Sequence, residues 1–128
     1  MAAIELNHTI VPASDPLASA RFLAGILGIE VSPPVAHFTP VMLGNHVTLD
    51  YDHADRVEAH HYAFLLGEAE FGAAFRRIKD AGLTYRLVRP RSTGSWMPVT
   101  CRASLEASQA MAAAMSSASL IWSGSEPR

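Results

Sequence analysis

Leu6-Asn7-His8-Thr9-Ile10-Val11 and His61-Tyr62-Ala63-Phe64-Leu65-Leu66 are the stretches whose reading decides the fold. In each, a histidine opens an apolar run of strand character. In each, a helical pattern follows and stops at a glycine, Gly28 in the first and Gly82 in the second. The histidines are 53 residues apart and the glycines 54. One strand–helix unit therefore occurs twice, with an imidazole at the same place in both copies. Two such units packed about a pseudo-twofold axis bring the imidazoles together, an arrangement suited to a metal ion.

Working outward from the first unit, Ile4–Val11 reads as a strand and residues 12–16 as a turn. Asp15 is a good N-cap and Pro16 suits the first helical position, where its missing N–H costs nothing. Phe22, Leu23, Ile26 and Leu27 then recur at helical spacing, and Gly28 permits the left-handed stop. Ile29–Val31 has the character of a strand beginning, broken by Pro33-Pro34. Phe38–Leu43 and Val47–Tyr51 read as two short strands joined by a Gly44-Asn45 turn.

Working outward from the second unit, Phe71, Phe75 and Ile78 form the apolar face of a helix. Arg76, Arg77, Lys79 and Asp80 fall on its wet side, and Leu83–Val88 resumes as a strand. Beyond Pro90 the character changes. Trp96–Cys101 reads as a short strand, Ser104–Met115 as an alanine-rich helix with a poorly defined face, and 116–125 as serine-rich around Leu120-Ile121-Trp122. The expected organisation is a single domain over 1–128: module one 1–52, a charged connector 53–59, module two 60–101 and an atypical tail 102–128.

The size and apolar content suit one domain with a real core. A net charge of −2 speaks against nucleic acid or an anionic membrane as the main partner, since both call for a basic face. Cys101 stands alone, so no intrachain disulfide forms. No signal-peptide pattern and no apolar run of membrane-spanning length is visible. A cytoplasmic protein is the expectation.

From Leu6 to Val88 the sequence resembles the vicinal oxygen chelate superfamily, which includes glyoxalase I, extradiol dioxygenases, fosfomycin resistance enzymes and bleomycin-binding proteins. The residues that carry the resemblance are Leu6–Val11, Asp15–Leu23 and Leu27-Gly28 in the first module. In the second they are His61–Phe64, Phe75–Ile78 and Ala81–Leu83. The resemblance implies an α+β fold of paired βαβββ modules whose sheets curl around a cavity, here with a second module irregular at its C-terminal end. It implies that His8 and His61 are metal ligands. In the family a carboxylate from the last strand of the second module completes the site, following an Asp-Pro-Asp-Gly turn. No such run follows Val88. Glu106 and Glu126 are the only acids after Asp80, and neither has the right neighbourhood.

Two histidines and a carboxylate leave positions open for a substrate with two adjacent oxygens on a divalent metal (Fe, Mn, Ni, Co or Zn). Thr48 and Asp50, two apart on one strand, share a face. Thr48 takes about the place where some lyases of the family have glutamate, and Asp50 is the substitute ligand or base, weighed against a solvated strand-end aspartate. His60 faces away from His61, and His37, His46 and His53 read as solvated loop residues. Arg86, Arg89 and Arg91 form a basic cluster suited to an anionic substrate or to guarding a sheet edge. Cys101 has no visible base partner.

The expectation is a metal-dependent enzyme of glyoxalase or dioxygenase type acting on a small oxygenated molecule. The alternatives are a metal-free small-molecule binder of the bleomycin-resistance type and an inactive remnant. A homodimer is expected, since an unfinished sheet leaves an edge open and many members of the family are dimers.

Overall fold

A computed structural model describes residues 3–57, 60–87, 96–102 and 117–123. The first unit holds β1 (His8–Ala13), α1 (Pro16–Leu27), β2 (Thr39–Met42) and β3 (Thr48–His53). The second holds β4 (His61–Leu66), α2 (Glu68–Asp80), β5 (Thr84–Leu87), β6 (Trp96–Arg102) and β7 (Ser117–Ser123). The strands form two sheets, ordered β1-β3-β2 and β4-β7-β6-β5.

The repeat is visible in the pairing. The opening strand of each unit lies at one side of its sheet, parallel to the closing strand of the same unit: β1 beside β3 and β4 beside β7. The remaining neighbours are antiparallel, β2 to β3, β6 to β7 and β5 to β6. The second sheet reaches into the stretch set apart above as tail, because Ser117–Ser123 runs alongside β4 over its whole length. Serine-rich flanks obscured a strand centred on Leu120-Ile121-Trp122. The alanine-rich 104–115 segment lies outside the described residues.

Boundaries in the first unit differ from the reading by propensity. The strand continues through Pro12 and Ala13, which pair with Asp52 and His53. Proline is tolerated there because β1 is an outer strand. Residues 29–31 form no strand, although the Ser32 N–H donates to the Pro40 carbonyl and keeps the segment beside β2. The hairpin turn places its left-handed residue at His46, φ 66°, rather than within Gly44-Asn45.

Helix α1 is bounded as its sequence dictates. The Asp15 carboxylate accepts from the Ala18 N–H at 3.1 Å, Pro16 occupies the first turn and Gly28 closes the helix at φ 72°. Such a cap contributes about 1 kcal/mol. Helix α2 has Glu68 and Glu70 in its first turn and Arg77 and Lys79 in its last, which complements the helix dipole.

Alternation along the strands sorts the side chains into two faces. Val11 and Ala13 of β1, Val41 of β2, and Leu49 and Tyr51 of β3 are buried against Ala20, Leu23 and Ala24 of α1. Phe64 of β4 is buried with Ala74 and Ile78 of α2 and Leu83. Each fully buried large side chain contributes roughly 1.5–3 kcal/mol. The opposite faces carry His8 and His61.

The two units meet through their helices. Arg77 of α2 leaves the wet side on which its helical position puts it and donates from Nη1 to the Ile26 carbonyl at 3.2 Å. It satisfies a carbonyl in the last turn of α1, a group the helix itself cannot pair. Gly28 leaves room for the guanidinium, since a Cβ there would lie 2.7 Å from Nη1.

Candidate functional site

His8 and His61 are the first residues of β1 and β4, and both are exposed. In the parallel registers His8 pairs with Thr48 and His61 with Ser117. The two imidazoles thus hold equivalent places in equivalent ladders, each on the sheet face away from its helix. Tyr62, one residue on, is half-buried on the helix side, as strand alternation requires.

The imidazole of His8 has a neighbouring polar partner. Its Nδ1 lies 2.7 Å from the Asn7 side-chain oxygen. An amide oxygen only accepts, so Nδ1 is the donor in this contact and Nε2 is the ring nitrogen left out of it. Metal-binding histidines are oriented in this way. Asn7 is itself pinned, because its carbonyl accepts from the Thr48 N–H at 3.0 Å. The sequence reading passed over Asn7. The available signal was a polar amide directly before the strand histidine, a place taken by His60 in the second unit.

Asp50 pairs with Ile10 and Pro40 and is half-buried on the face that carries His8. It sits one pleat repeat beyond Thr48, about 6–7 Å along the strand. Leu49 faces the core, as the spacing predicts. Donor chemistry fits a divalent ion as far as two imidazoles and one carboxylate go. Threonine and serine stand opposite the histidines, where the carboxylate of a complete set would be expected. Glu106 and Glu126 lie outside the described residues. Among the described residues, no three His, Cys, Asp or Glu side chains gather closely enough to hold a metal, so a single chain does not bring His8, Asp50 and His61 into one cluster.

His37 and His53 lie near the end of β3. His37 Nε2 stands 3.6 Å from Asp52, and His53 Nε2 stands 3.1 Å from Asp55. These exposed pairs contribute little to stability. Arg89 and Arg91 lie outside the described residues. Tyr51 belongs to the core. Its hydroxyl is buried with no hydrogen-bond partner among the described residues, and burial first, then the nearby Tyr62, raises its pKa above the usual 10.0. Burial raises Tyr62 as well.

A cavity of about 540 Å³ lies where the units meet. Leu27, Ile29 and Leu43 wall one side, and Ala63–Gly67 of β4 form the other. No helix among the described residues is long and apolar enough to cross a membrane.

No protein-family profile and no curated protein matches the sequence. Solved structures do match. The chain is 35% identical to one described as oxidase ChaP-H2, with a TM-score of 0.80 and 98% of each chain covered. It is 32% identical to oxidase ChaP-H1, with a TM-score of 0.79, covering 98% of this chain and all of that one. A glyoxalase/dioxygenase from Nostoc punctiforme shares the fold at a TM-score of 0.68, with 14% identity, 94% of this chain and 92% of that one covered. Paired units, outer-strand histidines and identity above 30% along nearly the whole chain lead to one conclusion: the chain belongs to the vicinal oxygen chelate superfamily, the glyoxalase/bleomycin resistance/dioxygenase group.

Proposed function

We propose that the protein is a metal-dependent enzyme of this superfamily, of the oxidase or dioxygenase kind, acting on a small molecule with two adjacent oxygens. The observation that carries the reading is the equivalent placement of His8 and His61, with His8 Nε2 left open by Asn7. The two oxidases described above, each more than 30% identical to this chain, favour oxidation over the lyase chemistry of glyoxalases. A divalent ion (Fe, Mn, Ni, Co or Zn) held by His8 and His61 would supply Lewis acidity or dioxygen activation. Asp50 is the candidate third ligand or general base, half-buried on the sheet face that carries His8.

The site is shared between two copies of the chain. β1 and β4 each lie at the side of a separate sheet, and no described strand covers either free edge. A twofold dimer pairs these edges and sets His8 of one copy beside His61 of the other. Substrate then binds on the open faces, away from the helices.

The test is metal content of untagged protein after loading with ferrous iron, manganese, nickel, cobalt or zinc. Stoichiometric metal that is lost in a His8→Ala, His61→Ala double variant supports the reading. A parent protein that takes up none of these ions contradicts it and favours the metal-free binder, a reading that Thr48 and Ser117 opposite the histidines already recommend. Oxygen uptake by the loaded protein with catechol-like or hydroxyketone probes then separates oxidative from lyase chemistry.

A further inference from the structure

Ala36 stands at φ 52°, in the left-handed region that a residue with a side chain rarely adopts. It opens a two-residue turn, Ala36-His37, closed by reciprocal hydrogen bonds between Val35 and Phe38 at 3.1 and 2.9 Å. The turn brings the His37 ring against Phe38, with centroids 4.1 Å apart, and sets its Nε2 3.6 Å from Asp52. An ion pair at the surface adds little to stability, so the fold draws little from the pair that this strained turn presents. Backbone strain of this kind gathers where a side chain is held ready for a ligand.

Asp52 alternates in phase with Thr48 and Asp50, so His37 reaches the sheet face that carries His8. The registers lay out that face in rungs. His8, Thr48 and Met42 make the first, Ile10, Asp50 and Pro40 the second, and Pro12 with Asp52 the third. Ile10 is 51% exposed and Met42 52%, so uncovered apolar side chains flank the polar middle strand on both sides. From Thr48 to Asp52 that strand advances about 13 Å.

We propose that His37 is a substrate-binding residue, held by Asp52 to receive the far end of an elongated substrate whose adjacent oxygens lie at the His8 end. This rests on the reading that His8 holds the metal. A substrate of this class has an apolar body that lies over Ile10 and Met42, and a hydroxyl about 10–13 Å from its chelating oxygens. With the Nε2 N–H turned to the Asp52 carboxylate, Nδ1 is the acceptor, which selects a hydroxyl at that end. A three-carbon dicarbonyl covers only the first rung and leaves the other two unused.

The test uses metal-loaded protein and three probes: catechol, a catechol with a hexyl chain, and the same molecule with a hydroxyl at the chain's end. Calorimetric titration of the parent is expected to show the hydroxylated chain binding about three- to tenfold more tightly than the plain one, the value of one hydrogen bond. His37→Ala removes this preference, and His37→Asn, whose amide oxygen replaces Nδ1 as acceptor, keeps part of it. Catechol itself binds alike to all three proteins. Metal content and circular dichroism stay at the parent's values, since His37 is exposed. A metal-loaded parent with no preference between the two chains, or a preference that survives His37→Ala, overturns the role of His37 and leaves the metal reading standing. A parent that takes up no metal overturns both.

Discussion

The side-chain oxygen of Asn7 lies 2.7 Å from Nδ1 of His8, and this bond engages Nδ1 and leaves Nε2 as the other ring nitrogen. The Asn7 carbonyl is meanwhile held by the Thr48 N–H, so His8 and its hydrogen-bond partner are fixed to the same strand pair. Asn7→Ala is expected to weaken metal binding by about 10–100-fold, the usual effect of removing an orienting partner. Its thermal midpoint should stay near the parent's, since the bond is exposed. Metal titration of the two proteins, followed by calorimetric scans, checks both halves.

His8→Ala and His61→Ala should each abolish stoichiometric metal while shifting stability by no more than about 0.5 kcal/mol, as expected for exposed side chains. Asp50→Asn distinguishes two roles for the carboxylate. A lost ion identifies Asp50 as a ligand. Retained metal with lost turnover identifies it as a base. Metal analysis and turnover on the same preparation give the answer.

Tyr51→Phe is expected to stabilise the fold by about 1–2 kcal/mol, because a buried hydroxyl without a partner costs that much. The substitution should also change the alkaline limb. With its folded pKa raised, Tyr51 stays protonated in the fold while the unfolded chain ionises near 10.0. Its stabilising contribution is complete below that pH and is lost above it, at about 1.4 kcal/mol per pH unit. Urea unfolding of parent and variant between pH 8 and 11 should show a shallower decline for the variant.

Gly28→Ala is expected to cost at least about 1 kcal/mol, from a left-handed residue acquiring a Cβ and from displacement of the Arg77 guanidinium. Arg77→Ala should cost about 0.5–1.5 kcal/mol, the net value of one hydrogen bond. The two share a contact, so a double-mutant cycle by chemical denaturation should be non-additive.

Much of this was legible in the sequence because periodicity and caps are local. Asp15, Pro16 and Gly28 bound α1 where their chemistry demands, and the two histidine-led strands appear in the same register. The shared face of Thr48 and Asp50 followed from strand alternation. What was not legible was long-range. The strand at Ser117–Ser123 earns its place through pairing with β4 and β6, which its serine-rich flanks do not announce. Pro12 and Ala13 continue β1 because the strand is an outer one, a fact of topology. Arg77 looked like a solvated charge because nothing in its own helix indicates the end of α1 beside it.

A complementation experiment tests the paired histidines most directly. His8→Ala and His61→Ala proteins, each unable to hold metal, are mixed under conditions that allow chain exchange, loaded with metal and freed of excess. A site shared between copies predicts recovery of up to one ion per mixed dimer, since one of its two sites retains both imidazoles. A mixture that stays metal-free while the parent loads fully contradicts the shared site.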